Sequence, residues 1–535
     1  MFLDKIPICR HALKKQALEG GFVINWFGRS KPEHPLADIA KVHELIAKLP
    51  ANDSVQALGE IATWLELMNR ADDLELEYRF KNLDLLDGAS RAHERALLTE
   101  YLATPRQKKS HEQRLWTSAY NFWRELGAGY QQCLRQCEKA SRGASKASLP
   151  IFVGRALRAL RQRLRWALLR YETAETQVWA DIARLYQFAE TAGFVDEAIA
   201  VYPGSSGSGT VKQEFLKSLM LAASATESLQ PLGQDIAARL VAHCCRSFVI
   251  AKEPREGCTH WFDFASPRAP VRVVRNPPAS ATVRYFGAGP ALKELEQIRA
   301  HIAYTRSLPE GLDLNGKRHD DEVLLGLLKH LEQDWAGKTQ ARRFERRKIA
   351  ARVTVVPGLD DIIEALEFAI NDSLDFTHQA AAESWIAEDM SEGGYGAIIP
   401  SVSGDWVEVG GLVGVEGESF RDWRVGVIRR VTRNEQHQQR VGVQLLTQTA
   451  TLVKLRWKAT AGPANAASAA LKPAVLISSK PQVEKEVHVI VKKGLLDHQE
   501  RVEMVVAETA HLLKAKDTIE RGSDYEILRL EVMRK

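Results

Sequence analysis

Six short stretches in the C-terminal part of the chain decide its fold: RVTVV (352–356), SWIAEDM (384–390), GAIIP (396–400), DWVEVGGLVGV (405–415), WRVGVIRRV (423–431) and RVGVQLL (440–446). Several of them alternate apolar and polar residues, as at Val441, Val443 and Leu445, which is the period of a strand with one buried face. Glycines and other turn residues separate them, and β-branched residues are frequent within them. Short strands in such close succession predict a small antiparallel barrel.

The rest of the chain divides around that barrel. Before residue 257 the apolar residues recur at helical spacing, with long patterns at 110–139, 151–172, 174–192, 211–224 and 232–250. After an Ala/Pro-rich linker, strand-like stretches continue to the C-terminus. We therefore predict a multidomain α+β protein with four parts: an all-α helical domain (1–256), a mixed segment with a short β excursion and helices (257–340), an antiparallel β-barrel (341–460) and a C-terminal β-rich segment (474–535).

Composition limits the classes of protein to consider. The 535 residues carry a formal net charge of +5, with 45% hydrophobic and 26% charged residues, which is ordinary for a globular protein. No run of about eighteen apolar residues is present, so we predict no membrane span and a cytoplasmic location. The six cysteines show no CxxC pair, which favours buried thiols over a metal site.

Two motifs in the barrel region carry chemistry. The first is Arg342-Arg343-Phe344-Glu345-Arg346-Arg347-Lys348, which contains RxxxR twice. The second is Asp389-Met390-Ser391-Glu392-Gly393-Gly394, a DxSxxG pattern at the end of a predicted strand. Taken singly, the first is common on solvated helices and the second is compatible with a plain turn.

The two motifs together suit a ligand that contains guanine and phosphate. Arginine binds phosphate bidentately and also reads the O6 and N7 atoms of guanine. A carboxylate accepts hydrogen bonds from the N1–H and the exocyclic amine of guanine, and a serine hydroxyl adds a further bond. Glycines such as Gly393 and Gly394 permit a tight turn or a close approach of the ligand to the backbone.

The order of these features resembles the PilZ domain family of bacterial cyclic di-GMP receptors over about residues 340–450. The resemblance implies a mobile RxxxR segment that wraps cyclic di-GMP and a DxSxxG turn that contacts a guanine on the barrel. The implied ligand-binding residues are Arg342, Arg343, Arg346, Arg347, Asp389, Ser391, Gly393 and Gly394. It also implies a signalling receptor with motility, pili, exopolysaccharide or biofilm behaviour as its output.

A helical stretch, LDDIIEALEFAI (359–370), separates the two motifs and is predicted to be an insertion that caps the barrel or covers the site. We find no paired catalytic carboxylates, nucleophile elbow or metal cluster in the sequence, so we predict no enzyme and no cofactor other than the ligand. The helical domain is predicted to relay the signal to a protein partner.

The alternative function rests on the helix at 151–170. It carries six arginines and no acidic residue, together with a stripe of leucines. Such a helix is either packed with a solvated basic face or binds an acidic protein, a nucleic acid or a membrane surface. The alternative hypothesis is therefore a nucleic-acid-binding or scaffold protein whose barrel binds no ligand. The modest net charge makes nucleic acid the less favoured partner.

Overall fold

The structure is a computed structural model. Apart from Leu36 and Leu312, it describes residues 38–104, 108–139, 148–205, 209–274, 280–310, 320–337, 344–371, 382–400, 406–417, 420–433, 438–457, 471–477, 485–495, 501–506 and 509–533. Within these residues, helices come first and are followed by two antiparallel barrels, so the predicted α+β class is confirmed. None of the described helices is long and apolar enough to cross a bilayer.

Eight helices make up the N-terminal part of the described chain. They are α1 (Ile39–Ala47), α2 (Ser54–Arg70), α3 (Leu76–Ala103), α4 (Lys109–Lys139), α5 (Leu149–Leu168), α6 (Thr176–Ala192), α7 (Val211–Ala222) and α8 (Pro231–His243). Polar side chains begin several of them: the Asp53 carboxylate accepts from the Gln56 N–H at 2.9 Å, and the Thr210 hydroxyl accepts from the Gln213 N–H at 3.1 Å.

The mixed segment packs on the same core as these helices. Strands β1 (Val249–Ala251), β2 (His260–Asp263), β3 (Val271–Arg272) and β4 (Val283–Gly287) form one sheet in the order β1-β4-β2-β3. Helices α9 (Ala291–Thr305) and α10 (Asp321–Trp335) follow. Phe262, Phe286 and Trp335 join the core of the helices, so no separate core divides the two parts. The helix predicted to run to residue 250 ends earlier, because Val249 already lies in β1.

The first barrel closes six strands in the order β10-β7-β6-β5-β8-β9. Their bounds are β5 (Arg347–Pro357), β6 (Glu383–Ser391), β7 (Gly394–Ile399), β8 (Leu412–Gly417), β9 (Phe420–Arg433) and β10 (Gln439–Thr447). Alternate residues such as Val353, Trp385, Ala397 and Val443 fill the interior. Helix α11 (Gly358–Asn371) lies between β5 and β6, where the sequence predicted a helix.

The second barrel also closes six strands, in the order β11-β12-β13-β16-β15-β14. They are β11 (Thr451–Trp457), β12 (Lys472–Leu476), β13 (Glu486–Lys492), β14 (Arg501–Val506), β15 (Thr509–Arg521) and β16 (Tyr525–Val532). The predicted boundary at residue 460 is therefore wrong for β11, which pairs with β12 and β14 and not with any strand of the first barrel.

Helix α11 packs between the two barrels. Its Leu359 and Ile362 are buried in a cluster with Val425 of the first barrel and with Ile490 and Ile527 of the second. The Leu359 N–H donates to the Asp524 carboxylate at 2.9 Å, so a side chain of the second barrel caps the start of the helix. The predicted insertion therefore joins the barrels.

The first barrel is docked on the helical part at the end of β9. The Arg433 N–H donates to the Tyr171 carbonyl at 2.7 Å, and Tyr171 is buried in the core of the barrel. The Gln230 side-chain amide donates to the Val409 carbonyl at 3.0 Å. These hydrogen bonds and the buried Tyr171 side chain fix the position of the barrel relative to the helices.

Candidate functional site on the first barrel

Strand pairing places the DxSxxG residues on one edge of the barrel. In β6 the side chains of Trp385 and Ala387 point inward, and a register shift between Ala387 and Asp389 turns Asp389 to the outer face. Ser391 ends the strand, and its hydroxyl donates to the Gly394 carbonyl at 3.3 Å. The Asp389 and Ser391 side chains therefore stand side by side at the turn into β7.

The arginine motif reaches the same place. Arg346 immediately precedes β5, and its Nη1 atom lies 2.8 Å from the Asp389 Oδ1 atom. The two side chains are 40% and 32% exposed, so this ion pair lies open to solvent and a polar ligand has access to it. The structure thus brings together one residue of each predicted motif.

Phe344, two residues before Arg346, packs against the turn. A Cβ atom at Gly393 would lie 2.7 Å from the Phe344 Cδ2 atom, so the aromatic ring occupies the space that a side chain would take. The glycine is needed at this turn for the approach of the ring. Gly394 has a different constraint, because a Cβ atom there would lie 2.2 Å from the Val443 carbonyl oxygen.

Arg347 and Lys348 differ from the expectation of a free segment. They lie within β5 and pair with Met390 and Asp389 of β6, whereas the sequence placed the first strand at Arg352. Arg342 and Arg343 lie outside the described residues. Of the predicted site residues, the structure gathers Arg346, Asp389, Ser391, Gly393 and Gly394 at one edge of the barrel.

Four residues that border this edge are not among the predicted site residues: Phe344, Gly396, Arg430 and Gly442. The Asp389 carboxylate lies over Gly396, since a Cβ atom there would lie 2.9 Å from both carboxylate oxygens. Gly442 of β10 is the cross-strand partner of Gly396, and Arg430 of β9 is the next partner, opposite Gly442. The signal was present in the glycines of YGAII and RVGV, but their alignment depends on strand pairing between distant segments.

The arginines of α5 form no basic surface. Arg155, Arg158, Arg161, Arg163 and Arg165 are all at most 8% exposed. Each is ion-paired, within the helical part, to a carboxylate of another element: Asp84, Asp87, Glu214, Glu175 and Asp235, respectively. The predicted solvated or partner-binding face at 151–170 is therefore wrong, because α5 is surrounded by other helices, and the alternative function loses its surface.

Arg158 shows how these charges are held. It is fully buried, and it donates to the Asp87 carboxylate and, at 2.8 Å, to the Val201 carbonyl. Burial acts to lower the pKa of its guanidinium, but the neighbouring Asp87 and Tyr130 outweigh burial, so that the pKa is raised above its ordinary value. The Tyr130 hydroxyl donates to the same carboxylate at 2.8 Å.

Comparisons with known proteins find two family models that match parts of this chain. Residues 40–254 match the family model described as the N-terminal domain of the cyclic-di-GMP receptor FimW, and residues 376–451 match its middle PilZ domain. No curated protein matches the sequence significantly. A solved structure described as MrkH, a c-di-GMP-dependent transcription regulatory factor, aligns with 8% identity over 37% of this chain and 92% of that chain. Its TM-score of 0.14 is too low to carry an inference.

The sequence motifs suggested no family for the helical part, and the match over residues 40–254 now relates it to a receptor family. The matched residues 40–254 run from α1 to just beyond β1, and 376–451 include the DxSxxG turn and the closing strands of the first barrel. The first barrel is a PilZ domain, and the chain is related over its helical part and this barrel to the FimW family of cyclic-di-GMP receptors.

Proposed function

We propose that the protein is a receptor for cyclic di-GMP, which binds on the outer face of the first barrel. The observation that carries this proposal is the approach of Arg346 to Asp389 at 2.8 Å, since it unites the two halves of the PilZ motif set at one exposed edge. The matching receptor families support the ligand class.

The chemistry of each side chain assigns its role. The Asp389 carboxylate accepts from the N1–H and the exocyclic amine of a guanine, and the Ser391 hydroxyl adds a hydrogen bond. Arg346 binds a phosphate or the O6 and N7 atoms of guanine, with Arg342, Arg343 and Arg347 alongside. Gly393 and Gly394 permit the turn that holds the motif.

The ligand must displace the contact between Arg346 and Asp389. An ion pair as exposed as this one contributes about 0–1 kcal/mol. A guanine that satisfies Asp389 and a phosphate that satisfies Arg346 replace it at little cost, because both charges regain a partner of opposite polarity.

The helical part is proposed to relay the bound state to a protein partner. Its support is the direct docking of the barrel on the segment around Tyr171, described above. The proposed outputs are those of the family: motility, pili, exopolysaccharide or biofilm behaviour. The function is that of a receptor, with no catalytic step assigned to any residue.

The test is calorimetric titration of the full chain and of Arg346→Ala with cyclic di-GMP. Removing one partner of a desolvated charge contact costs roughly 2–5 kcal/mol, or about thirty- to several-thousand-fold in affinity. Arg456→Ala is the matched control, since Arg456 pairs with Glu503 at 2.6 Å on the second barrel with comparable exposure. Equal affinity of Arg346→Ala and the control would remove the support for the proposal.

A further inference from the structure

The face that carries Asp389 continues across four strands. Strand pairing joins Asp389 to Gly396, Gly396 to Gly442 and Gly442 to Arg430, so that these residues form one row over β6, β7, β10 and β9. With about 4.8 Å between neighbouring strands, the row spans roughly 14 Å. The two central positions carry no side chain, and the two ends carry a carboxylate and a guanidinium.

Neither packing nor backbone conformation requires glycine at position 442. A Cβ atom there would meet only the Arg430 Cβ atom, at the ordinary contact distance of 3.4 Å. Gly442 is also not among the glycines with a positive φ. Glycine inside a strand loses conformational entropy and contributes no packing, and one reason for its presence is the close approach of a ligand to the backbone.

Arg430 forms the far end of the row and faces outward. Gly442 pairs with Arg430 and Val443 pairs with Ile428, so Arg429 is the extra residue of a β-bulge in β9. The consecutive residues Arg429 and Arg430 therefore both lie on the outer face of the barrel. The Arg430 guanidinium is 60% exposed, and its Nη2 atom lies 3.2 Å from the Glu227 Oε1 atom. Glu227 belongs to a short 3-10 turn, Thr226–Ser228, of the helical part.

We propose that Gly442 and Arg430 extend the cyclic di-GMP site across the barrel. The bare backbone at Gly442, next to Gly396 with the Asp389 carboxylate above it, is the floor over which the ligand lies, and Arg430 binds a ligand phosphate at the far wall. When the ligand binds, Arg430 leaves Glu227 and pairs with the phosphate, so the 3-10 turn of the helical part loses its ion pair to the barrel. This inference rests on the proposed function.

The first test is a series at the floor: Gly442→Ala, Gly442→Val and Gly442→Leu. A Cβ atom at position 442 meets only the Arg430 Cβ atom, at 3.4 Å, and valine favours strands, so we expect the melting temperature of each variant to equal or exceed that of the wild type. Affinity for cyclic di-GMP is expected to fall with side-chain size, by at least tenfold for valine, because the side chain occupies the ligand's place. Unchanged affinity across this series would overturn the role of the floor.

The second test concerns the wall. Arg430→Ala is expected to weaken binding at least tenfold, whereas Glu227→Gln is expected to strengthen it about two- to fivefold by freeing Arg430 from a competing carboxylate. Arg456→Ala again serves as the control for loss of an exposed, ion-paired arginine. An affinity of Arg430→Ala equal to that of the control contradicts the assignment.

The binding data distinguish failure of the proposed function from failure of the extended site. If the wild type does not bind cyclic di-GMP, the proposed function and this inference are both overturned. If the wild type binds and Arg346→Ala does not, but the Gly442 series and Arg430→Ala bind like the wild type, only the extension across β10 and β9 is overturned.

Discussion

Replacing Arg158 by methionine is expected to destabilise the helical part strongly. The substitution keeps most of the volume but removes the guanidinium that satisfies the Asp87 carboxylate, and both residues are almost completely buried. Among the described residues, Asp87 keeps only the hydrogen bond that the Tyr130 hydroxyl donates to its carboxylate, at 2.8 Å. Breaking a buried ion pair by removing one partner costs about 3–5 kcal/mol, since a charge is left uncompensated in a medium of low polarity.

The assay is urea unfolding combined with peptide-resolved hydrogen exchange over α5. Exchange reports the free energy of opening of this helix even where the parts of the chain unfold separately. Arg70→Met is the matched control: Arg70 pairs with Glu66 within one helix but its side chain is 71% exposed, so a loss of no more than about 0.5 kcal/mol is expected. A loss of less than about 1 kcal/mol for Arg158→Met would refute the account of α5 as a helix held by buried ion pairs.

Two further predictions concern buried titratable groups. Burial lowers the pKa of His260 to about 4, below its unfolded value, so the unfolded chain takes up the proton first and stability is lost as the pH falls from about 6.5 towards 4. The substitution His260→Phe is expected to remove this part of the pH dependence of the melting temperature, which corresponds to up to about 3 kcal/mol. An unchanged pH profile of the melting temperature would argue against this account of His260. Burial raises the pKa of the Cys133 and Cys244 thiols to about 12. Both thiols are therefore expected to resist alkylation at pH 8 in the native protein and to react once the protein is unfolded, as followed by mass spectrometry. Rapid labelling of either thiol in the native protein would contradict their burial.

Local patterns were sufficient to predict the first barrel and the helix at 359–370. Alternation in RVGVQLL places Val441, Val443 and Leu445 in the barrel interior, as observed, because a period of two is a property of a single strand. The DxSxxG turn was likewise visible, since Asp389, Ser391 and Gly394 are close in sequence and meet within one hairpin.

Contacts between distant segments were not visible in the sequence. The arginines of α5 look like a solvated face because their partners, among them Asp87, Glu214 and Asp235, lie on other helices. The row from Asp389 to Arg430 is equally hidden, since it depends on the register of four strands and on a bulge in β9. Strand pairing also decides that β11 belongs to the second barrel.

The most direct test of the central claim is a parallel titration of the full chain with cyclic di-GMP, cyclic di-AMP and GTP. Asp389 is assigned to the N1–H and exocyclic amine of guanine, which adenine does not offer in that arrangement. Cyclic di-GMP carries two guanines and two phosphates in one closed ring, so one guanine can bind Asp389 while the other guanine or a phosphate binds Arg346, whereas GTP has a single guanine and a flexible triphosphate chain. We expect saturable binding of cyclic di-GMP, with cyclic di-AMP and GTP at least a hundredfold weaker. Equal binding of the two cyclic dinucleotides, or no binding of cyclic di-GMP, would contradict the claim.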